Sequence, residues 1–491
     1  MKRLTIAVAV LLTAVAEAKP VFITGQAAVD TLPGYQAKAD AMKAAVQGAK
    51  SDYAAAKGTL YYVSALGDDA RDGRSEATAV RSLSAVAKLP LKAGDAVLFR
   101  RGDLFRGRID TVAGVTYSAY GEGAKPTLCA SVRNYADPAL WEATKVPNVY
   151  LCKEPIDNAG IITYDHDPQT IGKYDVKVGR MRNTRKGVAP TAQLKEEGDF
   201  WCDLPGKKLY LCCLKGNPGA SFKRIEIGPG VHGICIRESD GVTVDNLHIT
   251  LAGRHGISAG TVRNLEVRNC IFDWIGGSLL IPEGQKGGPC LFGNAVEVYG
   301  GCDGYRVHDC WMYQIYDTGI THQCHHANSK IYQSNVEYAR NLIEYCFWSI
   351  EYYNAQNKYG ETRNVYVHHN FCRYGGYGWG CRGRAGGTPM FSIDDRPDVT
   401  SNYVNEANIL ERSLGILVNN FGRHAAPPDF VFRKNVYVQP RGWNFASIGD
   451  LNRNGKWFAF DESSADVIRE AFGEDDGTFV ILPEEPHKLP K

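Results

Sequence analysis

Three carboxylates invite a chemical reading of this chain: Glu297 in NAVEV, Asp317 in QIYDTGITHQ and Glu351 in FWSIEYY. Hydrolysis of a glycosidic bond needs one carboxyl group to protonate the leaving oxygen and a second to attack the anomeric carbon or activate water. Asp317 is the first choice, because it stands between Tyr316 and the Thr318-Gly319 turn and shortly before His322, His325 and His326. That surrounding suits a cleft in which rings hold a sugar and carboxylates act on its linkage. Asp317 and Glu351 form the expected catalytic pair, with Glu297 as the substitute for either member. Each also has a plain structural reading: Asp317 as a turn residue bonding its own backbone, Glu297 and Glu351 as exposed strand residues.

Other residues could serve the same cleft. His322, His325 and His326 are candidate substrate contacts or, in an elimination reaction, bases. A lyase removes the proton beside a uronate carboxylate and stabilises the developing charge, so it wants a neutral base and a cation. Arg340, Arg373, Arg382 and Arg384 supply cations. Tyr374, Tyr377 and Trp379 are interleaved with arginines in CRYGGYGWGCRGRAGG, a run that reads either as a loop over a binding groove or as a Gly-rich surface loop covering the chain beneath. In the first reading the rings stack on sugar faces and Arg382 pairs with acidic groups. Asp394 and Glu411 extend the cleft. Asp394 and Asp395 alternate faces if they lie in a strand, so one at most points at substrate; calcium fits there, as does a solvated turn beside Arg396. No Rossmann fingerprint, P-loop or nucleophile-elbow serine occurs, and no cofactor is expected. Cys212-Cys213 and the Cys324, His325, His326 group lack paired metal-ligand spacing, so no metal is expected either.

The chain that must position these groups has 491 residues and 44% apolar content, enough for a large core, which excludes a disordered or fibrous protein. With 56 Lys+Arg against 54 Asp+Glu, the formal charge of +2 gives no global attraction to nucleic acid. Fifty-two Gly, 26 Tyr and only 5 Met favour strands and turns over helical bundles. Residues 1–18, MKRLTIAVAVLLTAVAEA, have the basic start, apolar run and small residues of a secretory signal peptide. No later apolar run reaches the length of a membrane span, so a secreted or periplasmic protein is expected. The sequence carries no signal for an oligomeric state.

Residues 19–58 form an N-terminal segment, Ala-rich and helical over Tyr35 to Lys57, that packs over something. Residues 59–452 are short strands and turns. Strand-like runs begin at 244, 262, 305, 342, 365 and 430, and the gaps between them read as a period near 20 and its multiples with loops added. A strand-turn-strand unit of that size cannot bury its own apolar face, and stacking successive units encloses one. The fold expected is therefore all-β, a parallel β-helix solenoid. Asn264, Asn269, Asp309 and Asn370 at strand ends suit turns or stacked ladders, a structural role. Cys270, Cys310 and Cys346 recur at a similar position and read as stacked small hydrophobes. About 196–222 is an inserted β-hairpin, with Phe200-Trp201 and Leu209 to Leu214 as its arms. Residues 453–491 form a capping tail with an amphipathic helix over Ala465 to Phe472.

YYVSALGDDARDGRS, SLSAVAKLPLKAGDAVLFRRGDLFRGRI and GVTYSAYGEGAKPTL resemble the opening of secreted bacterial right-handed parallel β-helix proteins of the pectate-lyase-like superfamily. DFWCDLPGKKLYLCC and GNAVEVYGGCDGYRVHDCWMYQIYDTGITHQ resemble later segments of the same proteins. The resemblance spans about residues 59 to 445 and implies a right-handed coil. Within that group the chain looks most like β-helix glycoside hydrolases acting on fucose- or xylose-containing glycans. The clustered calcium-binding aspartates and paired Arg base of pectate lyases have no clear counterpart. The expected function is hydrolysis of a polysaccharide or oligosaccharide. The alternatives are β-elimination on a uronate-containing glycan and a noncatalytic glycan-binding or adhesive β-helix.

Overall fold

The computed structural model describes residues 19–182, 188–237, 239–282, 285–286, 288–323, 331–353, 360–381, 384, 388–393, 400–420, 429–449 and 457–484, with backbone only for 391–393. The expected signal peptide, Cys324, His325, His326, Arg382 and the Asp394-Asp395 pair lie outside them. Strand is the commonest regular structure among the described residues, and the long sheets are parallel.

Three sheets of 11, 11 and 10 strands share the body of the molecule. We call them sheets I, II and III in the order in which each round visits them. Val262–Arg268 lies in sheet I, Ile271–Ile275 in sheet II and Val296–Tyr299 in sheet III, after which Cys302–His308 returns to sheet I and pairs in parallel with Val262–Arg268. Each round adds one strand to each sheet. Apolar side chains of all three converge on one core, as Val244, Ile249 and Ile257 illustrate.

In sheet I, Val244, Val267, Val307, Tyr338, Val367, Asn405 and Phe432 stand in one buried column. The rounds they mark off are unequal, short from Val244 to Val267 and much longer from Val267 to Val307, and the period near 20 is not observed. Excursions between sheets, rather than strand length, set the size of each round. Ile331–Ala339 is the sheet I strand of the next round, and the run at 342 is the sheet II strand Leu342–Glu344.

The corner from sheet I to sheet II turns through Asn269, Asp309, Arg340, His369, Ala407 and Lys434, all in the left-handed region at φ 51 to 56°. Asn and Asp tolerate that region best, which explains the first two positions. One residue further on, Asn341, Asn370, Asn408 and Asn435 stack. Each of the first three gives its side-chain amide to the next one's Oδ1 at 2.9 to 3.1 Å, and Asn435 gives its own to Glu474. Asn370 thus has the structural role expected of it. Asn370→Ala strips hydrogen bonds from the Asn341 N–H and the Tyr338 carbonyl, and denaturant unfolding should show a loss of about 2–4 kcal/mol. Cys270 and Cys310 fill the same column two and one rounds earlier, fully buried, whereas Cys346 occupies the next corner, from sheet II to sheet III.

The N-terminal helix runs over Gly25–Gly48, not Tyr35 to Lys57. Ala39 and Val46 pack on Ile271, Trp311, Leu342 and Phe371 of sheet II, and the preceding Val21–Thr24 pairs in parallel with Thr478–Leu482 near the other end of the sequence. At the C-terminal end the helix Ser464–Phe472 lays Phe472 on Phe432 at 4.1 Å between ring centroids. The hairpin Asp199–Asp203/Lys208–Cys212 is present, but it is part of a larger insertion with Trp141–Ala143, Val149–Cys152 and Ile161–Tyr164 and its own apolar core. Among the described residues no helix is long and apolar enough to cross a membrane.

Candidate functional site

Four sheet III strands build the site: β1 (Ile257–Ala259), β2 (Val296–Tyr299), β3 (Thr318–Gln323) and β4 (Trp348–Tyr353). Ile257, Val296, Ile320 and Ile350 form an inward column, so the next residues, Ser258, Glu297, Thr321 and Glu351, form an outward one. Glu297 and Glu351 lie two strands apart with Thr321 between them, about 9.5 Å at the backbone from two strand spacings. Asp317 opens the middle round: its N–H donates to the Gly293 carbonyl of one neighbouring round, and its own carbonyl accepts from Phe347 and Trp348 of the other. The three acids, far apart in sequence, meet at one corner.

A second column, two residues before the inward one, is polar: His232, His255, Asn294 and Thr318. Each is tied to the next. The His255 N–H donates to His232 Nδ1 (3.3 Å), the Asn294 N–H to His255 Nδ1 (2.9 Å) and the Thr318 N–H to Asn294 Oδ1 (3.0 Å). The ladder then reaches both glutamates. Asn294 Nδ2 donates to Glu297 Oε2 (2.5 Å), while Thr318 Oγ1 (3.2 Å) and Gln323 Nε2 (3.0 Å) donate to Glu351 Oε2.

Although both glutamates face outward from their sheet, they are 7% and 6% exposed. Burial, followed by the negative charges of Asp317 and Glu297, pushes Glu351 up to about 8. Burial, opposed by the Asn294 hydrogen bond and reinforced by Asp317, does the same to Glu297. Both therefore hold protons at neutral pH. Asp317 is instead ion-paired, with Arg384 Nη2 2.8 Å from its Oδ1. Arg384 also donates to the Tyr316 carbonyl and lies over the Phe347 ring, 3.5 Å from its centroid. The corner thus sets an ion-paired aspartate between two carboxylic acids, a division of charge that acid–base chemistry uses.

A cavity of about 520 Å³ opens beside this corner, lined by Tyr316, Trp379, Arg384, Cys290, Arg180 and Arg182, among others. Its walls are excursions between sheets II and III together with the insertion. Gly378 and Gly380 press so closely on the corner that an added Cβ would come within 1.8 Å of the Tyr345 carbonyl oxygen and 2.3 Å of that of Tyr316. The glycines of the Gly-rich run thus permit the close approach that brings Trp379 over Tyr316, at 5.2 Å between ring centroids.

Asp317, Glu297, Glu351, Tyr316, Trp379 and Arg384 are therefore brought together. Six other expectations are corrected. His322 follows Thr321 and so points inward; it is fully buried and bonded to the Tyr338 hydroxyl at 2.7 Å, out of reach of any substrate. Glu411 belongs to a buried charge column on sheet II, Glu344–Arg373–Glu411, with Lys43 of the N-terminal helix 3.3 Å from Glu344. Tyr374 is buried against the same column and accepts from Arg373 and Arg412. Tyr377 is half-buried near Arg412 and does not line the cavity. Arg373 is thereby committed to this column, and Arg340 pairs with Asp309 at the sheet I corner. Sequence reasoning missed His232, His255, Asn294 and Thr318. Their common offset from an inward apolar residue is the signal that aligning the strands would have shown.

No family model matches the chain, and no curated protein does. Among solved structures, a GH136 lacto-N-biosidase from Eubacterium ramulus is similar over 88% of this chain and 68% of its own, with 16% identity and a TM-score of 0.41. XylC in complex with xylose is similar over 79% of this chain and 67% of its own, at 11% identity and a TM-score of 0.43. For the pectate lyase Pel9A the corresponding figures are 80%, 77%, 12% and 0.31.

Proposed function

We propose that the chain is an exported right-handed parallel β-helix glycoside hydrolase acting on a polysaccharide or oligosaccharide at the corner formed by Glu297, Asp317 and Glu351. The observation that carries this reading is the division of charge there: an aspartate ion-paired to Arg384 of the cavity wall, flanked one round to either side by carboxylic acids that keep their protons at neutral pH. Sugar rings enter against Tyr316 and Trp379, whose faces suit pyranose C–H groups. Glu351 gives its proton to the leaving oxygen, and Asp317 attacks the anomeric carbon or takes the proton of an attacking water. Arg384 balances the charge of Asp317 and fixes its orientation.

A second reading, β-elimination on a uronate, draws on Arg180, Arg182 and Arg384 in the cavity wall. It needs a base. Tyr316, pushed up to about 12 chiefly by burial, keeps its proton, and His322 lies inside the core. A panel of polysaccharides and aryl glycosides, assayed together for new reducing ends and for the absorbance of unsaturated uronates, separates the readings. Hydrolysis gives reducing ends alone, elimination gives both, and a binding protein gives neither.

A further inference from the structure

Glu297 is not needed for the minimal two-carboxyl scheme, yet each of its two oxygens has a polar neighbour. Asn294 Nδ2 donates to Oε2 at 2.5 Å, and His255 Nε2 lies 3.3 Å from Oε1. The tautomer of His255 follows from its other nitrogen: Nδ1 accepts the Asn294 backbone N–H at 2.9 Å, so in the neutral ring the proton is on Nε2, the nitrogen nearest Glu297. His255 is 5% exposed. The ring of His232 lies parallel to it within 1°, at 5.2 Å between centroids, and Phe292 closes another side edge-on at 5.0 Å. The ring is stacked on one face, closed edge-on by Phe292, hydrogen-bonded at Nδ1 and within 3.3 Å of Glu297 at Nε2.

Resting on the hydrolase reading above, we propose that His255 is a positioning residue: as a neutral Nε2–H donor it holds one oxygen of Glu297 while Asn294 holds the other, so that the acid proton of Glu297 is confined to the lone pairs left over. Glu297 is thereby presented to the corner as a second acid with a fixed proton direction, two rounds away from Glu351 and able to donate to a sugar hydroxyl or glycosidic oxygen. Burial, aided by the charges of His232 and Arg254, holds His255 well below its usual range, which keeps it neutral under working conditions. The other charged or titratable groups that interact with Glu297 are Asp317 with its partner Arg384, Glu351, and Tyr305 from the core. They remain in place when His255 is changed.

The test compares His255→Phe, which keeps a ring but removes both nitrogens, with His255→Gln, whose amide can both accept and donate. The carboxyl titration of Glu297 is followed by infrared difference spectroscopy in the full chain, with Glu297→Gln identifying its band. Losing a donor to the ionised form should raise the Glu297 midpoint by about one unit or more in His255→Phe, with recovery in His255→Gln. On any cleaved glycan, kcat should fall roughly tenfold or more in His255→Phe with KM little changed, again with recovery in His255→Gln. An unchanged Glu297 midpoint in a folded His255→Phe protein overturns the proposal. A shifted midpoint in a protein that cleaves no glycan upholds the clamp and overturns only the hydrolase reading.

Discussion

Asp317→Asn is expected to lower glycan cleavage by roughly 10³-fold or more while leaving the protein folded. The amide matches the carboxylate in shape and can still accept from Arg384, but it cannot attack an anomeric carbon or take a proton from water. The stability change should be within about 1 kcal/mol, because the Asp317–Arg384 pair is partly exposed, with side-chain exposures of 17% and 24%. Steady-state rates on a cleaved glycan, beside a thermal melt of the same preparation, check both halves. Asp317→Asn protein that turns over at the wild-type rate removes Asp317 from the chemistry.

Glu351→Gln should separate substrates by leaving group. Where the leaving oxygen is a sugar hydroxyl it needs protonation, and the loss should be about 10²- to 10⁴-fold. An aryl glycoside with an acidic phenol needs little help and should lose about tenfold or less. The wild-type rate should fall as pH rises through about 8, where Glu351 gives up its proton, and the variant should lack that limb. Stability moves the other way. The folded-state value lies above the ordinary 4.5, so the native state holds the proton more tightly than the unfolded chain. Native stability is therefore greatest below about 4.5 and is lost progressively as pH rises toward 8. Gln is neutral throughout, and Glu351→Gln should be the more stable protein at pH 7 to 8, on the order of 2 kcal/mol, by denaturant unfolding. A variant both slower and less stable at that pH would mean that Glu351 serves the fold instead.

The acids were legible because strand alternation shows in the sequence: in NAVEV the valines flanking Glu297 go inward, and Glu297 must face out. The same rule, applied to TGITHQ, sends His322 inward with Ile320, so the run itself argues against a substrate contact there. His255 and Asn294 were not legible in this way. The insertion of Ser278–Ile281 and Cys290–Phe292 between them hides that both stand two residues before an inward apolar side chain. Glu411 misled for a related reason. Its place in the chain suggested that it extends the cleft, whereas Glu411 lies next to Arg373 in a sheet column that Lys43 of the N-terminal helix reaches at Glu344. The general repeat was visible but its length was not, because successive rounds carry different excursions. Those excursions build the cavity, so the part of the molecule that gives the site its shape is also the part that breaks the periodicity.

The most direct test of the central claim is cleavage in oxygen-18 water with the products weighed by mass spectrometry. Hydrolysis at the Glu297, Asp317 and Glu351 corner predicts one oxygen-18 atom in the new reducing end for each bond broken, and no such product from Asp317→Asn. Products without the label, carrying an unsaturated end, would mean that the bond is broken by elimination and that the carboxylate account of this corner is wrong.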